Sequence, residues 1–241
     1  MAKAMYIGVK PNLPNGYTQV EYIESTGTQY LDLDYIAPNN ARVLMVGSFA
    51  ENASNADGMS YVFGATDAYN TNGFGFGYSK GSVHLTTNTT IRNFNTSICD
   101  GKKYIIDCSP SKLIIDGTTY FNQSQAGSTS VDMFLFAYNN QGKVFRPAIM
   151  KLYSFKIYEG NTLVRDFVPV VNSIGLKGLY DLVKGTFRMT LSDTNFLAGA
   201  EVDSVARKVI KPYIGVNGVA RKVKKAYIGD ANGKAKLIYT S

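Results

Sequence analysis

Short runs rich in Tyr, Phe, Val and Ile recur along most of the chain and are cut every few residues by Gly, Asn or Ser-Thr clusters. This punctuation limits the fold more than any other feature, because no segment keeps an apolar period of 3.6 long enough for an extended helix. The composition agrees: 17 Tyr, 13 Phe and 23 Gly stand beside 7 Pro and no Trp. Aromatic residues favour pleated, half-buried surfaces and Gly the turns between them. An all-β fold is expected.

Strand character falls on residues 17–24 and 29–33, with Ser25-Thr26-Gly27-Thr28 as a hairpin turn between them. It returns at 42–49, 60–64, 74–78, 82–86, 103–108, 112–116, 131–138, 150–159 and 162–168, a spacing that implies a two-sheet sandwich. Alternation places Ile149, Tyr153, Phe155 and Ile157 on one face, interrupted by Lys151, with Ser154 and Lys156 opposite. The connectors at 51–58, 67–73 and 122–130 are rich in small polar residues and are where binding specificity would vary.

The formal charge of +7 is unevenly spread. Residues 205–241 carry nine Lys and Arg against the single acid Asp230, whereas 1–204 hold sixteen bases and seventeen acids. A near-neutral body therefore precedes a basic tail of net +8. The tail is repetitive. Val205-Ala-Arg-Lys-Val-Ile-Lys-Pro-Tyr-Ile-Gly-Val-Asn-Gly returns 14 residues on as Val219-Ala-Arg-Lys-Val-Lys-Lys-Ala-Tyr-Ile-Gly-Asp-Ala-Asn-Gly, then decays into Lys234-Ala-Lys-Leu-Ile-Tyr239. Asn217-Gly218 and Asn232-Gly233 supply the positive φ angles of tight hairpins. Tyr6-Ile7-Gly8-Val9 repeats Tyr213-Ile214-Gly215-Val216, so a strand within 1–11 is expected to pair with the repeats.

Two-stranded hairpins are marginal alone in water. The basic residues Arg207, Lys208, Lys211, Arg221, Lys222, Lys224 and Lys225, with Tyr213 and Tyr227, read either as a solvated face or as an anchoring and oligomerising element. The repeats match no nucleic-acid-binding signature, so no nucleic-acid partner is expected. No apolar run approaches the ~20 residues of a membrane span, and the start lacks a signal-peptide core, so cytoplasmic synthesis is expected.

Leu13-Pro-Asn-Gly-Tyr-Thr-Gln-Val-Glu-Tyr-Ile-Glu-Ser-Thr-Gly-Thr-Gln-Tyr30 resembles the opening of concanavalin A-like (laminin G-like) jelly-roll modules in structural proteins of bacteriophages and prophages of Gram-positive and gut bacteria. Lys151-Leu-Tyr-Ser-Phe-Lys-Ile-Tyr158, Leu163-Val-Arg-Asp-Phe-Val-Pro169, Gly178-Leu-Tyr-Asp-Leu-Val183 and Phe196-Leu-Ala-Gly199 are similar to their closing strands, in the same order. The basic Tyr-Ile-Gly repeats resemble terminal repeats of phage virion proteins. The resemblance implies a jelly roll over residues 12–203, basic hairpin repeats over 204–241, and a virion location after synthesis in a bacterial host. It implies that Gly27 serves the first turn and that Arg165 and Asp166 are a strand-edge polar pair. It names no ligand.

Catalysis has little to work with. His84 is the single His and alternates with Val83 and Leu85 as a strand residue. The Glu-x-Asp-x-x-Glu strand of glucan-cleaving jelly rolls is absent, and Glu21 and Glu24, three apart, would face opposite ways. Asp32 and Asp34 share a strand face, either as a calcium site or as solvated carboxylates. Cys99 and Cys108 match no metal or redox spacing and read as buried thiols, with a short-loop disulfide as the alternative if assembly leaves the reducing cytoplasm. No cofactor is expected. The function these features favour is a non-enzymatic tail or head appendage whose jelly roll binds host cell-surface polysaccharide or other virion proteins. Tyr69, Asn70, Asn72 and Phe74 are the glycan-contacting candidates: rings for stacking, amides for hydroxyls. The alternative is a purely architectural capsid decoration or head-fibre protein. A homo-oligomer, a trimer at three-fold positions, suits either.

Overall fold

The computed structural model describes residues 11–50, 58–67, 72–88 and 90–202, together with the backbone of 213–216, 219–222, 225–229 and 235–240. Within the body the chain repeatedly changes sheet. It begins in a first sheet with β1 (Tyr17–Gln19) and β2 (Ile23–Thr26), crosses to a second for β3 (Leu31–Asp32), and returns for β4 (Ala41–Phe49). Four consecutive neighbours then build the second sheet: β5 (Ser60–Thr66), β6 (Gly73–Tyr78), β7 (Val83–Thr87) and β8 (Thr90–Phe94). The first sheet takes β9 (Lys103–Ser109), β10 (Lys112–Ile115) and β11 (Thr118–Asn122), and the second takes β12 (Phe134–Leu135), β13 (Tyr138–Asn140) and β14 (Lys143–Phe145). The first is completed by β15 (Ile149–Glu159), β16 (Thr162–Asn172), β17 (Lys177–Asp181), β18 (Thr186–Met189) and β19 (Leu197–Ala198). This all-β jelly-roll sandwich, antiparallel except where β13 meets β5, matches the fold class expected from the strand spacing.

Apolar side chains of both sheets fill the space between them. Phe63 crosses to Phe155 with ring centroids 5.6 Å apart, and Val43, Met45, Ile106, Cys108 and Leu113 complete the layer with no exposure. The outer face of β6 carries only Gly73, Gly75 and Gly77, because the Tyr138 and Tyr61 rings lie on that strand: a Cβ on Gly75 would stand 2.7 Å from the Tyr138 ring.

The hairpin expected over 17–33 does not form. β2 pairs with β15 and β19, while β3 pairs with β12 in the other sheet. The intervening turn is a sheet-to-sheet crossover, fixed by buried Ser25, which donates to the Ala148 carbonyl (2.7 Å), and by Gln29, whose Oε1 accepts the Thr26 N–H (2.8 Å). Gly27 keeps its turn role at φ +101°. The face assignment in β15 is also corrected. A β-bulge between Leu152 and Ser154 shifts the phase, so Met150 and Leu152 share the core with Phe155 and Ile157 while Tyr153 turns outward. Residues 131–138 do not form one strand, because Phe136 adopts φ +65° and separates β12 from β13.

The chain divides into two compact units, Met1–Val202 and Asp203–Ser241. In the second, β20 (Tyr213–Val216) pairs with β21 (Val219–Lys222) and β22 (Lys225–Gly229) with β23 (Ala235–Thr240). The first ladder closes on Val216 and Val219, leaving Asn217-Gly218 as the two-residue connection. The strand expected at 1–11 falls on residues 1–10, outside the described residues.

Candidate functional site

The turn between β17 and β18 separates two surface clefts. Its sequence, Asp181-Leu-Val-Lys-Gly185, carries an Asp that hydrogen-bonds its own backbone two residues on and a Gly at φ +69°. Asp181, 1% exposed, accepts the Val183 N–H (3.0 Å) and the Asp166 N–H (3.1 Å) at Oδ1, and its carbonyl accepts the Gly185 N–H (2.8 Å). Its Oδ2 lies 3.4 Å from Arg165 Nε.

On one side lies a groove of about 470 Å³, lined by Asn12, Leu13, Pro14, Asn15, Tyr180, Leu182 and Gly185. Leu179 points into the core, so its strand neighbour Tyr180 points to the opposite face of the sheet, beside Phe187 on β18, and is 9% exposed there. Tyr17 reaches the same place from β1: its ring is 4.9 Å from Tyr180 and 5.4 Å from Phe187, both tilted. Of the three rings Tyr180 lines the groove, beside two loop amides, while Tyr17 and Phe187 are half-buried and pack on Tyr180.

On the other side is a charged cleft of about 560 Å³ that includes Asp34, Tyr35, Asp132, Glu159, Arg165 and Lys184. Arg165 donates to the Asp34 carbonyl (2.7 Å) and the Val164 carbonyl (3.0 Å), and its guanidinium lies 5.4 Å from the Tyr35 ring centre. Arg188 binds the Asp34 carboxylate at 2.6 Å. Burial, reinforced by the charges of Asp32 and Asp34, raises the Asp132 carboxyl above its ordinary pKa. Burial likewise raises the Tyr35 phenol, with Glu159 adding to the effect.

The residues singled out from sequence fare differently. Tyr69 and Asn70 lie outside the described residues. Asn72 closes its own loop, donating its backbone N–H (2.7 Å) and its Nδ2 (2.6 Å) to the Asp67 carboxylate. Phe74 is corrected: it has no exposure and its ring packs 5.6 Å from Phe63 in the core, so it cannot offer a face to a sugar. Arg207, Lys208, Lys211 and Lys224 lie outside the described residues. Of Tyr213, Arg221, Lys222, Lys225 and Tyr227 only backbone positions are described, with Tyr213 opposite Lys222 and Ile214 opposite Arg221.

The calcium candidate is not assembled. Asp32 Oδ1 accepts the Asp34 N–H (2.7 Å), the Asp34 carboxylate is taken by Arg188, and the described residues contain no metal-holding group of three His, Cys, Asp or Glu. Glu21 and Glu24 both engage outward lysines, Lys103 at 3.0 Å and Lys151 at 3.9 Å, rather than facing opposite ways. His84 lies buried in β7 with Nδ1 2.6 Å from Asn93 Oδ1, and Cys99 and Cys108 are free and buried. Arg165 and Asp166 do not form one polar pair: Asp166 meets Lys156 and Arg165 meets Asp181.

No protein-family model matches the chain, and no curated protein does. Among solved structures it is similar to the CBM40 domain of the Ruminococcus gnavus IT-sialidase (13% identity, TM-score 0.45, 58% of this chain and 91% of that one). That domain also appears bound to alpha2,3 sialyllactose, with the same identity and TM-score. Domains LG4-5 of the mouse laminin alpha1 chain are similar over 86% of this chain and 50% of theirs, at 10% identity and TM-score 0.44. These likenesses concern the sandwich and assign no residue a role.

Proposed function

We propose that the protein is a non-catalytic glycan-binding module of a virion structural protein, a tail or head appendage attached through its basic hairpin repeats. One observation carries the glycan reading: Tyr180 lines an open groove with Asn12 and Asn15, and the half-buried rings of Tyr17 and Phe187 cluster with it at the groove's edge. Aromatic faces pack on the apolar C–H faces of sugar rings, and amides donate to and accept from hydroxyls, so the groove has the two chemistries that carbohydrate recognition requires. The virion setting is supported by the phage-like opening and closing motifs and by a basic tail on a near-neutral body.

Retention on immobilised bacterial cell-wall polysaccharides tests the reading. The full chain should be retained and Tyr17→Ala or Phe187→Ala should weaken retention about tenfold, the scale of one lost stacking contact. Particles carrying a chain cut after residue 204 should lose the protein. If no polysaccharide retains the chain while purified capsids or tails do, the architectural reading replaces it.

A further inference from the structure

Asn-Gly occurs four times in the sequence, at 15–16, 72–73, 217–218 and 232–233, and the structure describes the first two, in opposite settings. In this dipeptide an Asn side chain can be attacked by its own backbone. The Gly nitrogen, on losing its proton, adds to the Asn Cγ; the Cγ–Nδ2 bond breaks, ammonia leaves with the proton, and a cyclic imide remains. Water then opens the imide at either carbonyl, giving Asp or its β-linked isomer. Glycine permits the closure because no Cβ crowds the attacking nitrogen and its backbone turns freely.

Asn15-Gly16 is open to this chemistry. Both residues are exposed, Gly16 stands at φ +90°, and the nearest atom to its Cβ position belongs to Ser173, 3.8 Å away. The turn is closed by the Tyr17 N–H on the Pro14 carbonyl at 3.4 Å, a long bond in which the Gly16 nitrogen takes no part. Asn72-Gly73 is locked. Asn72 gives its Nδ2 (2.6 Å) and its backbone N–H (2.7 Å) to the Asp67 carboxylate, and its carbonyl accepts the Asp67 N–H (3.1 Å). Gly73 is buried in β6, with its carbonyl holding the Asn88 N–H at 2.6 Å. Ring closure there must first break charge-assisted hydrogen bonds.

We infer that Asn15-Gly16 is a self-modification site, at which an amide lining the groove is lost as ammonia and a carboxylate takes its place. The reaction needs only water. Its effect on binding rests on the glycan-binding reading of the groove: a ligand oxygen that accepts from the Asn15 amide meets an acceptor-only group after conversion, and the β-linked isomer lengthens the backbone beside Tyr17.

Incubation of the full chain in warm, mildly alkaline buffer, followed by peptide mapping by mass spectrometry, tests this. The peptide holding Asn15 should gain one mass unit and split into Asp and isomerised forms at least about tenfold faster than the peptide holding Asn72, the factor set by one charge-assisted hydrogen bond. In urea, which releases the Asp67 lock, the two rates should converge. Equal rates in the folded chain, a faster Asn72, conversion of neither, or a difference that persists unchanged in urea overturns the inference. Asn15→Asp should also weaken retention on the polysaccharide that holds the native chain, by about tenfold. Conversion at Asn15 with undiminished retention of Asn15→Asp upholds the modification site and defeats the part given to Asn15 in the groove reading.

Discussion

Arg165 on β16 and Asp181 on β17 form a nearly buried ion pair, Nε to Oδ2 3.4 Å, that sets the wall between the two clefts. Exposures of 11% and 1% leave little water to take over either charge if the other is removed. Asp181→Ala should cost about 3–5 kcal/mol, since it strands a buried guanidinium and uncaps the turn. Urea unfolding measures that cost, and a loss below about 1 kcal/mol would show that Asp181 does not organise this corner.

Phe74 and Tyr17 should separate stability from binding. Phe74 is wholly buried, so Phe74→Ala should lose about 3–5 kcal/mol. Tyr17 is half-buried against Tyr180, which lines the groove, and Tyr17→Ala should lose less stability than Phe74→Ala but most of the glycan affinity. Paired unfolding and binding curves distinguish the two, and equal stability losses would contradict the placement.

Gly75 tests the aromatic layer on β6. Its added Cβ would meet the Phe63 carbonyl and the Tyr138 ring, each at 2.7 Å, so Gly75→Ala should destabilise by about 1–3 kcal/mol. Gly81, with nothing within 4 Å, should tolerate Ala within about 0.5 kcal/mol. Thermal midpoints of the two variants give the comparison.

His84 makes stability fall in acid. Burial holds its folded pKa below 6.5, so the unfolded chain binds the proton first as the pH drops. Its contribution is complete above the unfolded value and is lost as pH falls through 6.5 towards the folded value. The urea midpoint should decline across that window more steeply in the native sequence than in His84→Gln, and identical slopes would refute the assignment.

Both thiols should resist labelling in the native state. Burial raises Cys99 to about 11 and Cys108 further, leaving almost no thiolate near neutral pH. Alkylation should be slow until denaturant is added, and fast native labelling of Cys108 would contradict its place between the sheets.

How legible all this was depended on the range of the contacts. β4 was readable because Ala41, Val43 and Met45 alternate with half-exposed neighbours, and the pairing of β20 with β21 because Asn217-Gly218 stands between the two runs in sequence. The crossover after β2 was not, since a Ser-Thr-Gly-Thr turn serves a hairpin and a sheet change equally and only the Ser25 contact to Ala148, 123 residues away, decides. The β15 bulge left no local signal, and the short, mostly polar edge strands β8 and β11 lacked the apolar alternation that marks a strand. Phe74 could have been placed inward from its phase with Phe76 and Tyr78 in a Gly-Phe-Gly-Phe-Gly-Tyr run. Tyr17 and Tyr180 lay within the opening and closing motifs, yet only the pairing of β1 with β16, and of β16 with β17, brings their rings together.

The most direct test is to map the glycan contact by amide chemical shifts during titration with a retained polysaccharide fragment. Glycan binding in this groove places the largest shifts on Asn12, Asn15, Tyr17, Tyr180 and Phe187 and makes them disappear in Tyr17→Ala. Largest shifts elsewhere on the sandwich, or a shift pattern unchanged by Tyr17→Ala, would contradict it.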